Sequence, residues 1–366
     1  MLTVSNVSVS FTGKKLYDDV NLKFTPGNTY GVIGANGAGK STFLKVLEGK
    51  LQPTTGTVSM EANERMSSLV QDHFAFDEFT VLDTVMQGHK ELYDVKNQMD
   101  EIYTHDPFTD EDGIKVGELS ARFEELNGWS AETEAAQLLQ SLGIAEDQHY
   151  TMMADLPEVT KVKVLLAQAL FGNPDILILD EPTNGLDTKT IAWLEDFLAD
   201  YQNIVIVVSH DRHFLNAVST MILDVDFGKI KLFVGNYDFW KESSELAQRL
   251  QSQANAKKEE QIKELQDFIA RFSANASKSK QATSRKKQLE KITLDDIQPS
   301  TRKYPYINFE IQREIGNDML RVENLSKTVD GVKLLDNISF TVRPNEKALV
   351  CLLYTSPSPR DRTRSR

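Results

Sequence analysis

Apolar and polar residues alternate over 2–9 (LTVSNVSV) and 20–24 (VNLKF), the period of a strand with one buried face, so both read as antiparallel strands. Residues 29–33 (TYGVI) form a short apolar run that enters a glycine-rich stretch and then a helical pattern over 41–48, a strand–loop–helix unit. Two later runs, 175–180 (DILILD) and 203–208 (NIVIVV), are apolar without alternation. Strands of that kind are buried on both faces, as in a parallel sheet. Residues 162–171 (VKVLLAQALF) predict a largely buried helix. Helices between parallel strands make the class α/β.

The stretch 81–140 mixes weaker helical patterns with acid: 91–125 holds 11 Asp and Glu against 3 Lys and Arg. It reads as a solvated helical insertion. Residues 241–300 change character, with many Ala, Gln, Lys and Glu. Ile262, Leu265, Ile269 and Phe272 are spaced as one coiled-coil seam, and Ala282, Leu289 and Ile292 as another. A turn at 273–277 and a stop at Pro299 complete an antiparallel helical hairpin. Its tip, 271–291, carries seven cations and one carboxylate.

Residues 319–350 align on residues 1–32 without gaps, with 11 identities that include Gly13/Gly331, Asp18/Asp336 and Pro26/Pro344. A second copy of the first domain therefore starts at Met319. From Leu352 the chain reads LLYTSPSPRDRTRSR, without periodicity, so 351–366 is expected to be a non-native tail that ends a truncated second domain.

Net charge is −13 over 366 residues, unevenly placed: −20 in 1–240, +3 in 241–300 and +4 in 301–366. An acidic body repels polyanions, so nucleic acid must be met by a local basic element. No window approaches the roughly 18 apolar residues of a membrane span. One cysteine, Cys351, excludes a disulfide framework. The expected compartment is the cytoplasm.

Candidate chemistry begins where the strand at 29–33 ends. Gly34, Asn36, Gly37, Gly39, Lys40, Ser41 and Thr42 fit G-x-x-x-x-G-K-[ST] between a strand and a helix, the context that makes the motif a phosphate loop. Its glycines let backbone N–H groups approach phosphates, and the helix N-terminus adds a favourable dipole. Lys40 reaches the β- and γ-phosphates of ATP and Ser41 supplies a Mg²⁺ ligand. The strand 176–181 ends in two carboxylates: Asp180 for Mg²⁺ and Glu181 to orient and deprotonate the attacking water. His210 follows the strand 203–208, at the end where α/β sites lie, and is assigned to the γ-phosphate.

Together these motifs resemble the ATP-binding-cassette superfamily: Walker A at 34–42, Walker B at 176–181, the loop around Asp187 and the switch histidine. The runs DEPTNGLD, SHDRHFL and GNYDFW, with the basic hairpin, are similar to its ABC-F class of tandem cassettes without a membrane domain. That resemblance implies one cassette at 1–240, a basic coiled-coil linker at 241–300 and the start of a second cassette at 319–350. It implies Gln71 near Mg²⁺, Asp187 at the nucleotide, and Phe11 stacked on adenine; the repeat counterpart of Phe11 is Val329. It implies the ribosome as partner, with Lys278, Lys280, Arg285, Lys286 and Lys287 meeting tRNA and rRNA.

One departure stands out. Cassettes carry a glycine-containing signature before Walker B, where a helix start caps the partner cassette's γ-phosphate. Here the matching residues are Leu156-Pro157-Glu158-Val159-Thr160-Lys161, without glycine. Glu158 repels a phosphate and Val159 blocks close backbone approach. The alternative reading is the nucleotide-binding subunit of a membrane transporter, which expects one cassette per chain. A DNA-repair cassette expects zinc cysteines or far longer coiled coils. The second cassette in cis, or a second copy of this chain, is the expected partner for the first.

Overall fold

A computed structural model describes residues 1–11, 14–106, 109–272, 284, 287, 289, 320–329 and 332–343. The chain divides into two compact units, Met1–Arg302 and Lys303–Arg366.

The first unit opens with β1 (Leu2–Phe11) and β2 (Lys14–Phe24), which pair antiparallel. β4 (Thr55–Ser59) adds on the other side of β1, giving the order β2-β1-β4. The remaining strands build a six-stranded sheet. They are β3 (Thr29–Gly34), β5 (Met66–Ser68), β6 (Ile176–Asp180), β7 (Ile204–Val208), β8 (Met221–Asp226) and β9 (Lys229–Val234), in the order β5-β6-β7-β3-β8-β9. All its pairs are parallel except β8–β9. The α/β class and the antiparallel lobe are thus as the sequence predicts.

The continuous apolar runs now have their reason. Ile176, Ile178, Ile204, Ile206 and Val208 face one core, shared with β1, β2 and the helix α1 (Lys40–Leu47). Leu177, Leu179, Val205 and Val207 face the other. That second core is closed by α6 (Glu158–Leu170), α7 (Thr188–Ala199) and α8 (Arg212–Val218), and by four helices of the acidic stretch. Those four are α2 (Val81–Met86), α3 (Lys90–Tyr103), α4 (Asp110–Glu125) and α5 (Gly128–Ser141). Each keeps an apolar stripe inward, such as Leu92, Val95 and Met99 on α3, while its carboxylates face water.

The site is positioned by the parallel strands. Their C-terminal ends, Gly34, Asp180 and Val208, lie side by side because β6, β7 and β3 are neighbours in register.

The helix α9 (Tyr237–Phe272) begins before residue 241, straight after β9. Ile262, Leu265 and Ile269 are half-buried among exposed Lys263, Glu264, Gln266 and Asp267, the pattern of a seam. The turn at 273–277 and Pro299 lie outside the described residues, as do the second helix (apart from the helical Ser284, Lys287 and Leu289) and the tail 351–366.

In the second unit β10 (Leu320–Val329) and β11 (Val332–Val342) form an antiparallel hairpin. Every pairing in it repeats one of β1–β2 displaced by 318 residues: Leu2 with Phe24 becomes Leu320 with Val342, and Phe11 with Lys14 becomes Val329 with Val332. The irregularities repeat too. Asn6 and Asp19 sit at φ 49° and 51°, and Asn324 and Asn337 at 51° and 49°. Asp19 N–H donates to Ser8 Oγ, and Asn337 N–H to Ser326 Oγ. The repeat is therefore structural down to its bulges.

Candidate nucleotide site

β3 ends at Gly34 and the chain turns through 35–39 into α1. Two backbone features make this turn possible. Gly37 and Gly39 take φ of 81° and 101°, conformations that side chains resist. A Cβ on Gly39 would also stand 2.7 Å from Leu16 Cδ2, so β2 closes over the loop. Gly39 is the N-cap of α1 and offers no side-chain acceptor, which leaves the first-turn N–H groups open for an anion. Lys40 is buried along its length, and its ammonium reaches back to the carbonyls of Gly34 (3.0 Å) and Ala35 (3.2 Å). It stands at the mouth of the loop.

Across from it, β6 ends in Asp180 and Glu181. Gln71, on the loop after β5, donates from Nε2 to Asp180 Oδ2 at 2.8 Å. Glu181 has a left-handed backbone, φ 53°, rare for a residue with a side chain. The conformation is held by its N–H on Val208 O at 2.8 Å and aims the carboxylate toward the end of β7. There the His210 N–H donates to Glu181 Oε2 at 3.2 Å, and His210 Nε2 lies 3.5 Å from Oε1. Burial lifts the Glu181 carboxyl above the usual carboxylate range, Asp180 adds to the rise, and His210 and Lys40 pull the other way. A carboxylate so placed is a better proton acceptor than an exposed one.

These groups line one cleft of about 620 Å³. Its walls are Phe11 and Leu16, then Asn36, Gly37, Gly39, Lys40, Ser41 and Thr42, then Gln71, Asp180, Glu181, Asn184, Val208 and His210. The Ser41 hydroxyl, the Asp180 carboxylate and the Gln71 amide are all hard oxygen donors, the kind Mg²⁺ takes, and Mg²⁺ needs only one or two from protein. The donor set fits that ion. Among the described residues no cluster of three or more His, Cys, Asp or Glu offers another metal site.

Residues 17–184 and 223–309 match two family descriptions, both worded as ABC transporter. The "Uncharacterized ABC transporter ATP-binding protein YkpA" of Bacillus subtilis (strain 168) is 64% identical over 95% of this chain. The chain belongs to the ATP-binding-cassette family. The "Probable ATP-binding protein YbiT" of Escherichia coli O157:H7 is 49% identical over 96% of the chain. The chain spans 64% of the length of the first relative and 66% of the second. A solved ATP-binding subunit of an ABC transporter shares the fold, with a TM-score of 0.52 at 19% identity; the match covers 67% of this chain and 94% of that one. No helix among the described residues is long and apolar enough to cross a membrane.

In this cassette Gly34 serves the site through its carbonyl, which receives Lys40. Asp187 does not line the cleft. Its carboxylate caps α7, accepting from the N–H groups of Lys189 (3.1 Å) and Thr190 (3.0 Å), and pairs with Lys163 of α6 at 2.7 Å. Asp187 therefore acts inside the fold, as a link between helices. Of the candidate linker residues, Lys287 is helical and exposed, while Lys278, Lys280, Arg285 and Lys286 lie outside the described residues.

Two wall residues carry no signal in the sequence alone. Leu16 is one apolar residue in an alternating strand, and Asn184 one polar residue in a loop. Only the approach of β2 to the loop, and the turn that closes with Asn184 N–H on Glu181 O at 3.1 Å, bring them to the cleft.

The Asp187 arrangement yields a stability prediction. The Lys163 ammonium above all, helped by the Thr190 N–H, holds the Asp187 carboxyl well below the usual carboxylate range. A lowered native value means a stabilising contribution that is complete above the unfolded pKa, about 3.9, and is lost as pH falls through the native value. Asp187→Ala should cost about 2 kcal/mol at pH 7, from the cap and the pair together. In urea melts the gap between wild type and variant should narrow toward pH 2. An unchanged gap in acid would show that the carboxylate's charge is not the cause.

Proposed function

We propose that this cassette binds ATP with Mg²⁺ and hydrolyses it, and that the chain is of ABC-F type and acts on the ribosome. What carries the reading is the convergence of the phosphate loop, the Gln71–Asp180 pair and the Glu181–His210 pair on one cleft.

The first-turn N–H groups of α1 and the Lys40 ammonium hold the β- and γ-phosphates. Phe11, half-exposed at the end of β1, and Leu16 offer an apolar edge for the adenine ring. Ser41 and Asp180, with Gln71 beside them, would hold Mg²⁺, and the ion would supply charge neutralisation at the phosphates. Glu181 orients a water in line with the γ-phosphorus and takes its proton. The new P–O bond forms as the bond to ADP breaks, and His210 donates to the γ-phosphate oxygens. The direct test is phosphate release from ATP by the purified chain, in Mg²⁺ and in EDTA. Release that requires Mg²⁺ supports the reading, and no release in Mg²⁺ overturns it.

The partner assignment rests on charge. The stretch 271–291 holds seven cations against one carboxylate, while residues 1–240 are net acidic, so it offers a polyanion a local basic element to meet. Changing Lys280, Arg285, Lys286 and Lys287 to Glu should abolish salt-sensitive co-sedimentation with ribosomes and leave ATP binding intact. Unchanged co-sedimentation would defeat the assignment. A transporter subunit is the competing reading, and recovery of a permease in a pull-down would favour it.

A further inference from the structure

The α6 start, which lacks the glycines of a family signature, carries Glu158, Lys161 and Lys163. Within about a turn and a half, all three reach other parts of the same cassette. Glu158 Oε1 meets His73 Nδ1 at 3.3 Å. Lys163 bridges Asp187 and the Leu142 carbonyl. Between them Lys161 sends its ammonium to Asp77 Oδ1 at 2.5 Å and lies 5.0 Å from the centre of the Phe74 ring.

Lys161 is the unusual member. Its side chain is only 4% exposed, whereas Asp77 is 33% exposed and Phe74 65%. A buried ammonium is costly unless it is paired, and here a carboxylate and an aromatic face pair it. Both partners belong to 71–79, the loop that begins at Gln71. That loop is a chain of tight turns: Phe74 N–H donates to Asp72 Oδ1 (3.0 Å), Asp77 N–H to Phe74 O (3.3 Å) and Phe79 N–H to Phe76 O (3.0 Å). The turns run from Asp72 to Phe79, directly after Gln71, so holding 74 and 77 on α6 restricts where Gln71 can stand. Gln71 in turn meets Asp180 at 2.8 Å.

We infer that Lys161 is a positioning residue for the metal side of this cassette's own site: by clamping Phe74 and Asp77 onto α6 it holds Gln71 against Asp180. This inference rests on the proposed ATP–Mg²⁺ site. The substitution that isolates it is Lys161→Met. Methionine keeps much of the apolar stem in a buried position, and the Asp77 it leaves behind can turn to water. Lys161→Arg keeps the charge and is the rescue.

The readout is binding of a fluorescent ATP analogue, mant-ATP, measured with MgCl₂ and with EDTA, together with the melting temperature. Outer partners of metal ligands are typically worth about 10- to 100-fold in metal affinity. Lys161→Met should therefore cut the gain that Mg²⁺ gives to mant-ATP affinity by about tenfold. Affinity in EDTA, which depends on the phosphate loop, should stay within about twofold. Lys161→Arg should restore most of the gain. A full Mg²⁺ gain in Lys161→Met overturns the inference. So does a parallel loss with and without Mg²⁺, which would mark Lys161 as structural only. Failure of wild type to bind mant-ATP would instead strike the proposed function, so the two failures are distinguishable.

Discussion

Glu181→Gln should lower phosphate release by at least about 100-fold while ATP stays bound, because general-base help is typically worth 10²–10⁴. The geometry explains why amide for carboxylate is so costly here. Glu181 is held at φ 53° by its N–H on Val208 O, and its two oxygens are engaged by the backbone and ring of His210. Glutamine fits the same shape and can keep one of those contacts, so the fold and the phosphate loop survive. What is lost is the acceptor for the water's proton. Burial raises the Glu181 carboxyl above the ordinary range, so in wild type the acidic limb of the rate profile should lie above that of an exposed glutamate. Turnover by Glu181→Gln at the wild-type rate would remove Glu181 from the base role. The check is single-turnover phosphate release beside a filter assay for retained nucleotide.

Lys40→Ala should act one step earlier and abolish binding. The ammonium is buried at the mouth of the loop and rests on the carbonyls of Gly34 and Ala35, both part of the turn that would face the phosphates. Alanine removes the one cation on the loop itself and leaves its N–H groups alone against a highly charged ligand. Thermal shift is the convenient measure. A ligand at 100 times its Kd adds about 2.7 kcal/mol of stability, several degrees for a domain of this size. Wild type should gain that shift with ATP and Mg²⁺, and Lys40→Ala should not. The unliganded variant should melt close to wild type, since a helix N-terminus tolerates alanine well. An equal ATP shift in both proteins would mean the nucleotide sits elsewhere.

Much of this was legible in the chain before the structure. Runs such as DILILD and NIVIVV read as strands covered on both faces, and the two cores that split their odd and even residues bear this out. The phosphate loop is legible because its chemistry needs glycines and a lysine at fixed local spacing. The repeat at 319–350 foretells a hairpin that reproduces β1–β2 in register.

What stayed hidden depends on groups far apart in sequence. Lys161 and Asp77 are 84 residues apart, and the 109 residues between Gln71 and Asp180 are bridged in the sequence only by the family resemblance. Spacing along the chain says nothing of such meetings. Asp187 reads as a nucleotide residue from its motif, yet its carboxylate is taken by α7 and Lys163. Nothing in the sequence says where Lys161 and Lys163 point. Only the folded chain shows them turned inward. The start of α9 at Tyr237 was also obscured, because an aromatic GNYDFW run does not announce a helix that continues into a polar coiled coil.

The central claim is that the cleft between α1 and the ends of β6 and β7 is an ATP site. Isothermal titration of the purified chain with ATP in MgCl₂ addresses it most directly. A saturable isotherm with one nucleotide per chain is the predicted result, since one phosphate loop is present. A folded protein that gives no binding heat, or that takes up two nucleotides per chain, would contradict it.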